Sequence, residues 1–481
     1  MPRPASRPAA TTAGAAHGPS PNAKVLLIVL SAAAFLLTLA GSALKNTVQV
    51  YFVPMADTFG GSRGALAWAT TLFAVTVAVA SPLVGALADR LGGAATLALG
   101  TALSGVALIG CALAGELWLF VAVYALIAAL ASTMLSYVPL GVLVDELFRD
   151  GRKGLMYALL TNGAAVGFVV LVPLWSWLGT WSSWQDVLLV VGLVFLCVLA
   201  PLAMLVARGS NRVAARPEAE DTVSSDPGPR ALRRLSFGER LRLTAGNPDM
   251  RRLSLALFAC GATMAFIDVH FMPLMHDHGL GHTVSSTAVA LLGVFEIAGG
   301  LLAGWLCDRG WIKGVLLSAY AVRCVAMVLV ALNPTGAVVI AFGVVFGVSY
   351  LATVIATTMW AARVLPVEVR GFGMGLVWTV HALGTALTSE VGAVMADATH
   401  DYSVVALGCA GLAAAACVLV LAGRVPEAAQ TGEADATDTG TSGPDAGSSG
   451  PGGGTGTAAA SEADAPADAD TAHRAEPAGA R

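Results

Sequence analysis

The sequence predicts an all-helical integral membrane protein of twelve transmembrane helices in two pseudo-symmetric halves of six. Three observations predict it. The 481 residues are 56% hydrophobic and only 12% charged, too little polar surface for a soluble domain. Apolar runs of about twenty residues recur along the chain, each long enough to cross roughly 30 Å of hydrocarbon. One pattern also occurs twice. Val50-x-Phe52-x-Pro54 leads to Gly85-x-Leu87-x-Asp89-Arg90, and Val269-x-Phe271-x-Pro273 leads to Gly304-x-Leu306-x-Asp308-Arg309, every position offset by 219. Gly60/Gly279, Leu72/Leu291 and Val75/Val294 keep the same register. Such a repeat in an apolar chain implies two membrane halves of like design with a site between them.

The elements follow in order. Residues 1–23 are polar and poor in large apolar side chains, and are expected to be a disordered cytoplasmic N-terminus. The span that follows is too long for a signal-peptide core, so no cleavage is expected. Residues 24–207 hold six spans, near 25–55, 65–88, 94–114, 117–141, 154–178 and 185–207. Residues 208–250 form a polar, arginine-rich cytoplasmic linker. Within it Leu232, Leu235, Phe237, Leu241 and Leu243 suggest a short amphipathic helix on the membrane surface, against the alternative of a flexible basic tether. Residues 251–424 hold six more spans, near 251–275, 285–307, 313–333, 336–361, 370–395 and 402–423. Residues 425–481 carry ten acids and two arginines in a Gly/Ala/Ser/Thr/Pro background, the composition of a disordered acidic tail. The runs lack the polar/apolar alternation of transmembrane strands.

Charge sets the orientation. With both termini in the cytoplasm, cytoplasmic segments hold all lysines and arginines except Lys45, Arg63 and Arg323, as the positive-inside tendency requires. This points to a multi-pass protein of the cytoplasmic membrane. The seven cysteines lie in or at the ends of apolar runs without ligand spacing, which reads as small apolar packing.

With these features in place, the chain resembles the major facilitator superfamily. That family's loop between the second and third spans reads roughly Gly-x-Leu-Ala-Asp-Arg-x-Gly, matched here by Gly85–Gly92 and again at Gly304–Gly310, although the usual basic residues after the first copy are replaced by Gly93, Ala94 and Ala95. The resemblance implies a conformational latch of Gly85, Asp89, Arg90, Asp308 and Arg309. There an Asp at a helix end pairs with an Arg or a helix N-terminus in one conformation and releases it in the other. The first span, Gly41 to Phe52 with Lys45, is similar to that of the monocarboxylate transporters. So are the loop Phe148–Gly154 with the glycine-rich fifth span, and the stretch from Gly392 to Tyr402. The related oxalate/formate antiporters share much of this pattern.

An ionisable residue inside a span is costly and is a functional candidate by default. Lys45 lies past the midplane of the first span, where it either holds a substrate carboxylate or snorkels to the interface. Glu296 lies near the midplane of the eighth span, where desolvation favours a protonated carboxyl. It is a candidate proton carrier, with an interhelical hydrogen bond as the alternative. The resemblance places an Asp here with an Arg four residues later, but this chain has Gly300. Arg323 lies at nearly the same depth and is the available partner, giving an expected buried Arg323–Glu296 ion pair. Asp268 and His270 occupy the outer third of the seventh span. Asp268 is a second proton-coupling candidate and His270 a substrate donor or a satisfied interhelical histidine. His381 lies about 15 Å into the eleventh span, near where the antiporters place a substrate-binding lysine. Tyr51 and Tyr350 are further substrate-binding candidates, and Asn162 and Trp378 possible cavity walls. His276, Asp277, His278 and His282 form a polar turn read as solvated rather than metal-binding.

These residues point to a secondary active transporter that moves a small organic anion, monocarboxylate-like, by alternating access with a proton. Proton-driven efflux of a drug or metabolite is the alternative. No H-E-x-x-H, G-x-S-x-G partner set or P-loop is present, which argues against an enzyme or a self-contained ATP-driven pump. No cofactor, metal or nucleic acid is expected. The expected partners are substrate, protons and the lipid bilayer, with the protein a monomer.

Overall fold

The computed structural model describes residues 21–60, 63–148, 152–214, 235–399 and 401–426. The expected disordered N-terminus, nearly all of the acidic tail and the middle of the linker lie outside the described residues. Among those described, every regular element is a helix. Eleven are long and apolar enough to cross a bilayer: α1 (Val25–Val50), α2 (Trp68–Leu91), α3 (Gly93–Ala112), α4 (Leu117–Leu147), α5 (Lys153–Leu178), α6 (Trp184–Asn211), α7 (Pro248–Asp277), α8 (His282–Asp308), α9 (Ile312–Leu332), α10 (Gly336–Val364) and α12 (Ser403–Ala422). The twelfth, α11 (Arg370–Thr399), is 30 residues long. Its glycines, threonines and His381 lower its hydropathy; Gly371, Gly375 and Thr379 pack against α2 of the other half, while Gly384, Thr385 and Gly392 pack against α7.

The repeated glycines have a backbone cause. Gly60 and Gly279, 219 apart, sit at φ 59° and 66°, and Gly92 and Gly310 after the two Asp-Arg turns sit at φ 91° and 87°. A side chain resists that left-handed region, so these turns retain glycine. The helix starts are also specified locally. Asn247 caps α7 by accepting from Asp249 N and Met250 N at 2.9 and 3.2 Å, with Pro248 in the first turn. α4, α6 and α7 each contain a π-helical turn, at Val123–Ala128, Phe195–Leu199 and Phe266–His270.

Two equivalent seams join the halves at the end that carries the Asp-Arg turns. In the first, α2 meets α11. Gly371 N and Phe372 N, at the start of α11, donate to Asp89 Oδ1 and Oδ2 at 2.6 and 3.0 Å. Two turns further along, Thr379 Oγ1 donates to Ala78 O at 2.7 Å. In the second seam α8 meets α5. Gly154 N and Leu155 N donate to Asp308 Oδ1 and Oδ2 at 2.6 and 2.9 Å, and Asn162 Nδ2 donates to Ile297 O at 3.4 Å. The acceptors Asp89/Asp308 and Ala78/Ile297 are each 219 apart, while the donors Gly154/Gly371 and Asn162/Thr379 are each 217 apart. One joint is thus built twice, from two helix pairs with different repeat offsets. Glycine makes the approach possible. A Cβ on Gly85 would strike Gly371 O, and one on Gly304 would strike Gly154 O. Close backbone approach at small residues is how helices associate in lipid.

A further helix, Phe237–Gly246, lies in the linker. Ser236 and Glu239 start it with a capping box. The sequence led us to expect its leucines on the membrane surface. Arg240 and Thr244 are its buried residues, and Phe237, Leu241 and Leu243 are exposed. The helix docks through its polar side because Arg240 finds a carboxylate there: Arg240 Nη1 lies 2.9 Å from Asp89 Oδ2 and donates to Glu368 O at 3.1 Å.

Candidate functional site

The polar side chains expected at the site lie on α1, α5, α7, α8, α10 and α11, which face one another between the halves. Lys45 and Asp268 are both exposed, and Asp268 is within electrostatic reach of Lys45 and His381. Asp268 and His270, two apart on α7, point to different sides: Asp268 is exposed and His270 is turned into the packing. Glu296 is half-buried, within reach of Asp268 and Arg323. Tyr350 is half-buried beside the same two carboxylates. His381 is buried and lies against the Cys260 thiol and the Trp378 ring, with ring centroids 4.7 Å apart.

Three expectations are corrected. Tyr51 does not offer its hydroxyl to the central space, because it is buried and donates to Trp175 O of α5 at 2.6 Å. His270 is 1% exposed, with Nε2 3.2 Å from Thr388 O and its ring between Phe266 and Tyr402. It ties α7 to α11. The Arg323–Glu296 ion pair does not form among the described residues. Arg323 is fully buried, and its guanidinium donates to Ser349 Oγ, Ser349 O, Tyr350 O, Thr353 Oγ1, Thr263 Oγ1 and Cys260 Sγ at 2.9–3.3 Å. The Phe346 ring lies 4.8 Å from its Cζ. Arg323 thus clips α7, α9 and α10 together through neutral acceptors. Equal depth put Arg323 and Glu296 at one level but did not turn them toward each other.

The longer cation of the resembling family would be tight at Gly300 and would require its neighbours to shift by a few tenths of an ångström. A Cβ there would already meet Leu351 Cδ1 at 3.2 Å and Asn162 Nδ2 at 3.3 Å. The latch residues behave unequally. Asp89 and Asp308 each cap a helix of the other half, and Gly85 sits in the first seam. The cation beside Asp89 is Arg240, not Arg90, and Arg309 stacks on Trp305 at 3.4 Å. Asp145 adds ion pairs to Lys153 at 2.8 Å and to Arg370 of the other half at 3.2 Å. The His276–His282 turn is exposed, with His278 Nδ1 2.9 Å from Leu274 O.

Sequence reasoning missed three residues. Tyr137 of α4 stacks on Trp378 of α11 across the halves, with centroids 4.8 Å apart and planes 13° apart. A lone aromatic after Ser136 in an aliphatic run was the available signal. Cys260, read as packing, touches Arg323 and lies 3.1 Å from Thr353 Oγ1, and nothing in its spacing announced this. Arg240 was one of many linker arginines. A separate apolar groove of about 330 Å³ lies between α11 and α12, lined by Leu387, Val391, Gly392, Gly408 and Cys409 among others. It is remote from this chemistry.

Comparison with known proteins agrees with this architecture. Residues 30–389 and 253–445 match the model of the Major Facilitator Superfamily. The uncharacterized MFS-type transporter YcxA of Bacillus subtilis (strain 168) is 25% identical over 396 residues, 81% of this chain and 92% of its own length. Monocarboxylate transporter 12-B of Danio rerio is 24% identical over 399 residues, 78% and 82% of the two chains. Among solved structures, the fucose:proton symporter FucP of E. coli superposes with a TM-score of 0.62 at 15% identity, covering 83% of this chain and 98% of that one. The proton:xylose symporter XylE superposes with 0.63 at 12%, covering 83% and 96%. The chain therefore belongs to the major facilitator superfamily, and it is a membrane transporter rather than an enzyme.

Proposed function

We propose that the protein is a secondary active transporter for a small monocarboxylate, coupled to a proton and working by alternating access. The observation that carries the reading is a chain of charges: Lys45 within electrostatic reach of Asp268, Asp268 of Glu296, and Glu296 of Arg323. Two cations against two carboxylates sum to zero. A proton on Glu296 leaves one net positive charge, the complement of one carboxylate, so anion and proton enter together at the lowest electrostatic cost. Lys45 and His381 attract the anion, and Glu296, with Asp268 as the second acid, carries the proton. The two seams seal the end bearing the Asp-Arg turns in this state. Their release while the opposite ends of the halves close is the other state. A relative named as a monocarboxylate transporter supports the substrate class, and fold relatives named as proton symporters support the coupling.

The test is uptake of labelled lactate, pyruvate and acetate by proteoliposomes under an imposed pH gradient. The parent accumulates at least one of them. Glu296→Gln loses gradient-driven accumulation but keeps counterflow, and Lys45→Ala raises KM. Parent-like uptake by both variants overturns the assignment. Efflux of an apolar drug or metabolite is the second reading. Gly300 and the fully occupied Arg323 favour it, since neither leaves a free guanidinium for a carboxylate. Gradient-dependent dye export without carboxylate flux would establish it.

A further inference from the structure

We propose that Asn162 reads the proton on Glu296 across the two halves: the protonated carboxyl donates to Asn162 Oδ1 and ties the second seam, and the ionised carboxylate cannot. This rests on the reading above in which Glu296 carries the proton, and it adds the residue through which that proton reaches the joint. The two seams are built alike, so their differences are informative. Asn162 Nδ2 donates to Ile297 O at 3.4 Å, where its counterpart Thr379 donates to Ala78 O at 2.7 Å. The residue before each acceptor is Glu296 in the second seam and Val77 in the first. Around this bond the second seam therefore has an amide for a hydroxyl and a carboxyl for an isopropyl group. The two changes face each other across one contact.

The amide brings an atom that the bond to Ile297 does not use. Asn162 is 3% exposed, and its Oδ1 is buried without a hydrogen-bond partner. Threonine makes the equivalent bond in the first seam without stranding an atom. The stranded oxygen is a cost in this state, and a donor that arrives with the proton offsets it. α8 offers one such donor. Between Thr287 and Trp305, Glu296 is the only polar side chain on that helix. Gly300 lies one turn beyond Glu296 on the same face, and a Cβ there would meet Asn162 Nδ2 at 3.3 Å. Asn162 therefore overlies the face that carries Glu296. Protonated, Glu296 has an O–H to give; ionised, it has acceptors only, as Oδ1 does. The other titratable and charged groups around Glu296 are Asp268 of α7 and Arg323 of α9, with Tyr137 of α4 and Tyr350 of α10. A bond made only in the sealed state holds the proton more tightly there, and by the same linkage opening the seam loosens it.

The experiment follows amide hydrogen exchange at Gly154 and Leu155, corrected for the intrinsic pH dependence of exchange, in the parent, Asn162→Thr and Glu296→Gln. Each protein is first checked for thermal unfolding in detergent. These amides donate to Asp308 in the sealed seam. A window from about pH 6 to about pH 8.5 stays above the range in which that exposed carboxylate takes a proton. In the parent, protection should be about fivefold to tenfold higher at the acid end, the worth of one hydrogen bond, and be lost as Glu296 ionises. Asn162→Thr keeps a donor for Ile297 O, as Thr379 does for Ala78 O, and should lose the pH response. Glu296→Gln has an amide N–H in place of the carboxyl O–H, so its protection should be high and flat. A response that survives in folded Asn162→Thr, or is missing from the parent, overturns the proposal. The proton-carrier reading falls separately, if Glu296→Gln still accumulates substrate under a pH gradient. If Asn162→Thr fails to fold, Asn162→Ser decides by the same criterion.

Discussion

Arg240→Met offers a direct test of the first seam, because it removes the cation beside Asp89 while keeping the length of the side-chain stem. The Arg240 and Asp89 side chains are 6% and 1% exposed, so the pair is buried. Removing one partner of a buried pair costs about 3–5 kcal/mol. Asp89 keeps its bonds from Gly371 N and Phe372 N, so the lower end, about 3 kcal/mol, is the better figure. Since Asp89 and α11 belong to different halves, the loss falls on the state in which the seam is made. A shift of about 3 kcal/mol is roughly 150-fold in the open-to-sealed ratio. The assay is hydrogen exchange at the amides that form the seams, Gly371 and Phe372 in one and Gly154 and Leu155 in the other. Protection should fall by about two orders of magnitude at both, because the halves rock as bodies. Arg242→Met, on the exposed side of the same helix, should leave protection within the effect of an ordinary surface change. Unchanged protection at Gly371 would refute the reasoning. Loss at Gly371 alone would reduce the contact to local capping of α11.

Gly304→Val should abolish or severely reduce uptake, since its Cβ meets Gly154 O in the second seam. Hydrogen exchange at Gly154 and Leu155 distinguishes this from misfolding. Arg323→Lys should destabilise the C-terminal half by about 2–4 kcal/mol, read as a lower thermal midpoint, because one ammonium cannot reach acceptors on α7 and α10 together. If Arg323 instead serves substrate, affinity will fall with the midpoint unmoved. Tyr51→Phe should lower stability by about 1 kcal/mol through loss of the bond to Trp175 O and leave KM unchanged. A raised KM would return Tyr51 to the site.

The spans, the halves and one side of each seam were legible in the sequence for physical reasons. Span length is fixed by bilayer thickness, and the 219-residue offset survives in α2 and α8 because Asp89/Asp308 and the left-handed glycines tolerate little else. The other side of each seam was not legible. α5 and α11 contribute backbone N–H groups and glycines at an offset of 217, and a backbone donor leaves almost no mark in a sequence. Depth along a helix was readable from residue counts, and it set the level at which Glu296, His381 and Arg323 were expected. Azimuth was not, and it misdirected the expected Arg323–Glu296 pair and the reading of Tyr51 and His270. Arg240 meets a carboxylate 151 residues away from a segment whose docking depends on the finished bundle.

The two seams also differ in a way that burial explains. Asp308 is exposed, so two backbone N–H groups and solvent suffice to hold its charge. Asp89 has a side chain only 1% exposed and must find all its partners within the protein, where an unpaired charge is not tolerated. Two backbone donors leave it short, and the linker helix supplies the third through Arg240. The linker is therefore part of the first seam and not merely a tether between the halves. It follows that cutting or lengthening the chain between residues 215 and 234 should be harmless so long as Phe237–Gly246 stays docked. Changing the docked face of that helix should loosen the first seam even though the connection between the halves is unbroken.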